Sequence, residues 1–541
     1  MAIEELPNKP TSRRPHRTLN AAARLAAGSF PLAAVDRILG SRRMPPEKAV
    51  HILARIDPSV FERLSERKAL DVFHRAYRLV PAYRAFLLAH GVKEENVRDG
   101  TNFSDFVPAT NKENYIRTYP LAARCVGGTI PADGLIEESS GTSGTPTNWI
   151  RSLDEDLAHA PLRRAIMAYM YRLGCGDPVI LLNGFTLGAW AGGQSFDRAL
   201  RGFGLLKNIG TDAPKILRTM KDMGLGFRYL LSGYPPFLKE LIDLGERESG
   251  FNWREYAVDI MAGGEGFTEA WREYISSRLR PGARIYSVYG AIDIDAGIAM
   301  ENDVCVAIRK LLEGNTGLRA SLLGSDRKPC FLGQFSPVKF HVTSRPNADG
   351  VRELHVTGLN RSAVSPTIMY DIGDEGDMIP FLRMMFVLRD HRYDLRRLVL
   401  PEAGQPVVGF PFLYLFGRSD GTVSINGANI YTADVAAAIL DDPALAAAIT
   451  SFQLSIDIDE SSDLRLCIAL ELGEGVASNE MLREKARRVI LENILRSAEC
   501  FRRAYEADPV ATAPVFSFHP HETGMFKDSR SGPKYRYLKR T

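Results

Sequence analysis

Residues 138–147 read Glu138-Ser-Ser-Gly-Thr-Ser-Gly-Thr-Pro-Thr147, a run of hydroxyls and glycines able to wrap a polyphosphate. Glycine lets backbone N–H groups turn inward with no Cβ in the way, and each Ser or Thr hydroxyl adds a donor. No Gly-Lys-Ser or Gly-Lys-Thr follows at Walker-loop spacing, so the segment is of another kind. A flexible Ser/Gly linker is its bland alternative. The helix expected after it is well marked. Ser152 stands at its cap, Asp154, Glu155 and Asp156 fill its first turn, and Leu162, Ile166, Met170 and Leu173 share one face.

Four more groups follow in order: Gly263-Gly264-Glu265, Tyr289-Gly-Ala-Ile-Asp293, Tyr370-Asp-Ile-Gly-Asp374 and Gly417-Arg-Ser-Asp420, the last continued by Asn426-Gly-Ala-Asn-Ile430. Upstream lie Val80-Pro-Ala-Tyr-Arg84, Val107-Pro-Ala-Thr-Asn-Lys112 and Tyr119-Pro-Leu121. Together these segments resemble the adenylate-forming superfamily of acyl-CoA synthetases, and within it the phenylacetate-CoA ligase branch, from about residue 75 to the end.

That resemblance implies an α/β fold: a large N-terminal adenylate-forming domain with a small mobile α+β C-terminal domain. It assigns nucleotide binding to Ser139, Ser140, Gly141, Thr142, Ser143, Gly144, Thr145, Gly264, Glu265, Tyr289, Gly290, Asp374 and Arg418. Tyr289 would stack on the base, Asp374 would accept from both ribose hydroxyls, and Asp293 would hold magnesium. Lys534, in Ser531-Gly-Pro-Lys-Tyr-Arg536, is the expected catalytic lysine, with Lys527 and Lys539 as rivals. The acyl pocket is expected near Asn183-Gly-Phe-Thr-Leu-Gly-Ala-Trp190, with Phe185, Trp190 and Tyr234 lining it. Phe185 and Trp190 suit an aromatic acid, and core packing explains them equally well.

The residue types fit the implied chemistry. Adenylation displaces pyrophosphate from the α-phosphate, so charge gathering on oxygen needs a cation, a metal and fixed N–H donors. The substrate carboxylate is itself the nucleophile, which suits a sequence with no evident Ser-His-Asp or Cys-His set. Asp293 offers hard oxygen to a cation, Asp374 two acceptors, and Arg418 a fork of donors for phosphate. Each alone also reads as an ordinary surface charge. Three positions depart from the family pattern. Thr145 replaces a usual lysine, Ile292 a hydroxyl, and Asp293 is one methylene shorter than the usual Glu, with Asp295 as an alternative metal ligand.

These groups must be positioned by a chain of 541 residues, long enough for several units at about 100 to 200 residues per domain. Hydrophobic residues make up 45% and charged residues 25%, a globular composition. With 68 Lys and Arg against 65 Asp and Glu the net charge is +3, too small a field to recruit nucleic acid or an anionic membrane. Basic residues cluster at Arg13, Arg14, His16 and Arg17 and at Lys534, Arg536, Lys539 and Arg540. Six cysteines stand singly, without the Cys-x-x-Cys spacing of a zinc ribbon. With no signal-peptide pattern at Met1 to Pro10 and no apolar run of about 18 residues, the expected location is the cytoplasm.

Residues 1–74 read as a helical extension, with Leu19 to Leu39 one segment and Pro45-Pro46 opening another. From about 130 to 420 short apolar runs alternate with helical patterns: Pro178 to Leu182, Phe227 to Leu231, Val258 to Met261 and Arg284 to Val288. The domains are expected at 75–417, for ATP and the acyl group, and 418–541, for the lid. In the lid, Phe452 to Ile458 and Leu464 to Leu472 alternate as strands, and Asn479 to Ile494 is helical. The expected function is ATP- and Mg2+-dependent activation of a small carboxylic acid, then thioester formation with coenzyme A. Transfer to an amine, and a catalytically degraded nucleotide-binding homologue, are the alternatives.

Overall fold

The computed structural model describes residues 45–99, 102–139, 147–173, 178–187, 191–347, 350–395, 397, 406–419, 423–425, 428–430, 432–458 and 464–527. The expected helix at 19–39 and both basic clusters lie outside them. Helices Pro46–Leu53 and Pro58–Leu79 begin on proline at the first helical position, where no N–H is needed. Asp57 caps the second by accepting from Ser59 N at 2.9 Å. This helix runs unbroken through residue 74 and turns Phe61, Leu64, Val72 and Phe73 inward. Phe61 meets Phe410 with ring centroids 5.0 Å apart, and Ser65 donates to the Phe340 carbonyl, so the helix packs on the body of the protein.

A two-stranded hairpin, β1 (Leu135–Ser139) and β2 (Thr147–Arg151), precedes the main sheet, with Ser139 opposite Thr147. Here the structure differs from the sequence reading, which took 138–147 as one loop leading to a helix. Thr-Asn-Trp-Ile-Arg has the aromatic and β-branched content of a strand, and Trp149 Nε1 bonds Ser139 Oγ at 3.0 Å across the pair. The marked helix follows at Leu153–Tyr171, with Ser152 Oγ accepting from Glu155 N and Leu162 and Met170 buried.

The main sheet has eleven strands among the described residues. In chain order they are β3 (Val179–Asn183), β4 (Leu205–Asn208), β5 (Arg228–Gly233), β6 (Ala257–Gly263), β7 (Ile285–Ala291), β8 (Asp295–Met300), β9 (Phe331–Phe335), β10 (Phe340–Pro346), β11 (Arg352–Gly358), β12 (Tyr370–Ile379) and β13 (Phe412–Arg418). Strands β4, β3, β5, β6 and β7 lie parallel in that spatial order, linked by helices such as Ala213–Met223 and Pro235–Arg247. Covered on both faces, β3 reads Val-Ile-Leu-Leu-Asn with every residue buried. From β7 onward, through β8, β9, β13, β12, β11 and β10, each neighbour is antiparallel. Two kinds of sheet therefore meet at β7.

Past β13 comes a smaller α+β unit. Strand β14 (Val423–Ile425) pairs with β15 (Ala428–Ile430), while β16 (Ile449–Ile458) runs antiparallel to β17 (Leu464–Leu472), which pairs in parallel with β18 (Val515–His519). Helix Glu480–Ser497 opens on Asn479, which accepts from Leu482 N at 2.8 Å. Val423, Val435, Leu454, Ile468, Ile490 and Phe501 share a core of this unit's own. Among the described residues no helix is long and apolar enough to cross a membrane.

Candidate active site

The C-terminal ends of parallel strands are where an open α/β sheet leaves room for a ligand, because the connecting loops diverge there. At the C-terminal ends of β5, β6 and β7 stand Tyr234, Gly263-Gly264 and Tyr289-Gly290, and these line a cavity of about 1650 Å3. Ser139, Phe185, Glu265, Asp293, Asp374 and Arg418 line it as well. Every described member of the expected site set thus reaches one cavity. Ser140, Gly141, Thr142, Ser143, Gly144, Thr145, Trp190 and Lys534 lie outside the described residues.

At the antiparallel side, β12 and β13 set Asp374 opposite Arg418, whose Nη1 lies 3.2 Å from Asp374 Oδ1 and donates to the Ile372 carbonyl at 2.7 Å. Tyr289 OH donates to Asp374 Oδ2 at 2.6 Å, and its ring sits tilted against Phe331 with centroids 5.7 Å apart. Burial and then the Asp374 charge push the Tyr289 phenol well above its ordinary value, so it remains a donor. The irregular stretch of β12 that delivers Asp374 has Gly373 at φ +80, with its N–H held by Asp371 at 2.8 Å. Asp371 also lines the cavity, and burial pushes its carboxyl up to about 6.

Asp293 sits in the tight turn between β7 and β8, closed by the Ile294 N–H donating to the Ala291 carbonyl at 2.8 Å. Its Oδ2 accepts from Tyr370 OH at 2.9 Å and lies 3.3 Å from Lys112 Nζ. Both residues lie in the segments Val107 to Lys112 and Tyr370 to Asp374 that carry the family resemblance, where neither has an expected role. Beside them Arg151 Nη2 donates to the Ile292 carbonyl at 2.8 Å. Glu137, buried on β1, pairs with Arg198 and with Arg151, whose Nε is 3.5 Å away. This charged group went unnoticed in the sequence because its members come from three distant segments.

The opposite wall is apolar. Phe185 packs edge-on against Tyr234 at 5.5 Å and tilted against Phe196 at 6.2 Å, with Met167, Met170 and Met261 in the same cluster. Gly264 holds φ +86, and a Cβ there would stand 2.4 Å from the Tyr234 ring. Gly264→Ala is therefore expected to cost about 1 to 2 kcal/mol from left-handed backbone strain alone and to push Tyr234 into the cavity. A thermal melt together with ligand affinity checks this, and an unchanged melting temperature would refute it.

No protein-family model matches the sequence, and no curated protein matches it. Among solved structures, the chain is similar to 2-hydroxyisobutyryl-CoA ligase in complex with 2-HIB-AMP and CoA in the thioesterification state, with TM-score 0.57 and 15% identity over 88% of each chain. The postadenylation state with R3-HIB-AMP gives TM-score 0.50 and 14% identity over 88% of each chain. An open conformation gives 0.50 and 15%, covering 89% of this chain and 92% of that one. With its parallel-to-antiparallel sheet, its cavity at the strand ends and its smaller C-terminal α+β unit, the chain has the fold of the adenylate-forming enzymes.

Proposed function

We propose that the protein activates a small carboxylic acid with ATP as an acyl-adenylate and then forms a thioester with coenzyme A, in the manner of the phenylacetate-CoA ligase branch. The observation that carries this reading is the convergence of Ser139, Phe185, Tyr234, Gly264, Tyr289, Asp293, Asp374 and Arg418 on one cavity. It is supported by the likeness to a ligase solved with an acyl-adenylate and CoA. We divide the chain into an ATP- and acyl-binding domain at 75–417, on which the helix from Pro58 also packs, and a lid at 418–541.

In this reading Asp374 accepts from the ribose hydroxyls, the Tyr289 ring flanks the base, and Gly264 and Glu265 border it. Phe185, Trp190 and Tyr234 hold the acyl group. The acid's carboxylate oxygen bonds to the α-phosphorus as the bond to the bridging oxygen breaks and pyrophosphate leaves. The coenzyme A sulfur then attacks the acyl carbon and AMP departs. Lys534 meets the charge of the first step from the lid. Asp293 fits a magnesium ion, which takes one or two carboxylates and completes its shell with phosphate and water. When bound, that ion neutralises charge on the phosphate oxygens. A cytoplasmic location accompanies this proposal.

ATP–pyrophosphate exchange over a panel of aromatic and short aliphatic acids tests it. Exchange that depends on the acid and falls at least about 100-fold in Lys534→Ala, the scale of one lost transition-state charge contact, is the expected result. ATP binding without exchange for any acid would sink the catalytic reading. A thioester formed with coenzyme A, rather than an amide with an added amine, identifies the acceptor.

A further inference from the structure

Residues 138–147 include no Lys or Arg, so this segment has no side-chain cation to offer a polyphosphate. Lys112 lies in the same cavity as Asp293, with Nζ 3.3 Å from Oδ2 and side-chain exposures of 12% and 9%. The backbone that carries Lys112 is fixed. Thr110 bridges Tyr370, with its N–H on the Met369 carbonyl at 3.0 Å and its carbonyl accepting from Asp371 N at 2.8 Å. Asn111 then caps the turn by accepting from Glu113 N and Asn114 N at 3.0 and 2.9 Å. Tyr370 also donates to Asp293, so both partners of the Lys112 ion pair hang on one strand junction.

We propose that Lys112 is a phosphate-binding residue that holds Asp293 until nucleotide arrives and then moves to the polyphosphate, freeing Asp293 for the metal that enters with it. This rests on the reading of the cavity as an ATP site. An ammonium and a divalent cation repel each other strongly when they share one buried carboxylate, so the two occupy Asp293 in turn. Lysine suits an exchange of partners because it is a point charge on a flexible stem. Three other cations lining the cavity have geometric duties: Arg151 holds the Ile292 carbonyl and Glu137, Arg418 holds Asp374 and the Ile372 carbonyl, and Arg327 pairs with Glu375.

Two binding measurements on the full-length chain test this without turnover. The first is Mn2+ binding in the absence of nucleotide, read by electron paramagnetic resonance. The second is calorimetric affinity for ATP in the presence of a chelator. In Lys112→Met, Mn2+ is expected to bind at least tenfold more tightly than to wild type, and metal-free ATP at least tenfold more weakly. Adding Asp293→Asn to Lys112→Met should abolish the gain in Mn2+ binding. Lys112→Gln, which keeps a polar group beside Asp293, carries the same two expectations should the methionine variant fold poorly. Equal Mn2+ affinity with and without Lys112, or metal-free ATP affinity that ignores Lys112, would overturn the proposal. Lys112-dependent ATP binding without acid-dependent exchange would support it while refuting the ligase reading, so the two failures are separable.

Discussion

Glu301→Ala is expected to remove about 3 to 5 kcal/mol of stability, the scale for deleting one partner of a buried ion pair. Glu301 is 0% exposed and accepts from Arg272 Nη2 at 2.9 Å, Arg309 Nη1 at 2.8 Å and Ser287 N at 2.7 Å. Arg272 also pairs with Glu269 at 3.0 Å, and Arg309 Nε lies 3.2 Å from it. Two guanidiniums share two carboxylates. Removing Glu301 leaves two buried cations against Glu269 alone. The loss would reach the site, because Arg309 also donates to the Phe267 carbonyl and Arg272 to that of Ile285, tying the segment after β6 to β7.

Burial by itself would raise the Glu301 carboxyl, but Arg272, Arg309 and the Ser287 N–H outweigh it and hold the group below the usual carboxylate range. A folded value below the unfolded one means that this stability is present above the unfolded value and is lost as pH falls through the folded one. Urea denaturation of both proteins at pH 7 measures the loss. A difference below about 1 kcal/mol, the scale of an exposed pair, would show that the network contributes little.

Asp374→Ala is expected to weaken ATP binding on the order of 100-fold or more, since in the proposed reading it accepts from two ribose hydroxyls and each hydrogen bond to a charged group contributes about 1.5 to 3 kcal/mol. The substitution also strips Tyr289 OH of its 2.6 Å acceptor and Arg418 of its 3.2 Å ion partner. Asp374→Asn keeps a carbonyl acceptor without the charge and should fall between alanine and wild type. Calorimetry with ATP measures both variants, with melting curves to account for any loss of folded protein. Affinity within threefold of wild type for the alanine variant would remove Asp374 from the nucleotide site.

Wherever local pattern dominates, the elements were legible. Ser152 caps its helix at the expected residue, and the helix expected from Asn479 begins one residue later with Asn479 as its cap, because a short polar side chain before a helix satisfies N–H groups that nothing else nearby can. The apolar runs at Pro178 to Leu182 and Val258 to Met261 became β3 and β6, since a strand covered on both faces buries a run this short and continuous. Strand β2 was missed. Its partner is β1 and its defining bond joins Trp149 to Ser139, a pairing that no window of local periodicity contains. The helix Pro58–Leu79 also runs past the expected boundary at residue 74, since its apolar face packs on a sheet formed far downstream.

Sequence by itself determined the α/β class, the apolar runs that became β3, β5, β6 and β7, and the candidate chemistry, because residue type and spacing set what a segment can bury and which groups it can offer. Tertiary structure alone decided who faces whom. The Lys112 ion pair with Asp293, the Tyr289 bond to Asp374 and the four-charge network around Glu301 each join segments far apart in the chain. A charge in sequence has no known dielectric and no known partner. Both are assigned only when the sheet closes around it.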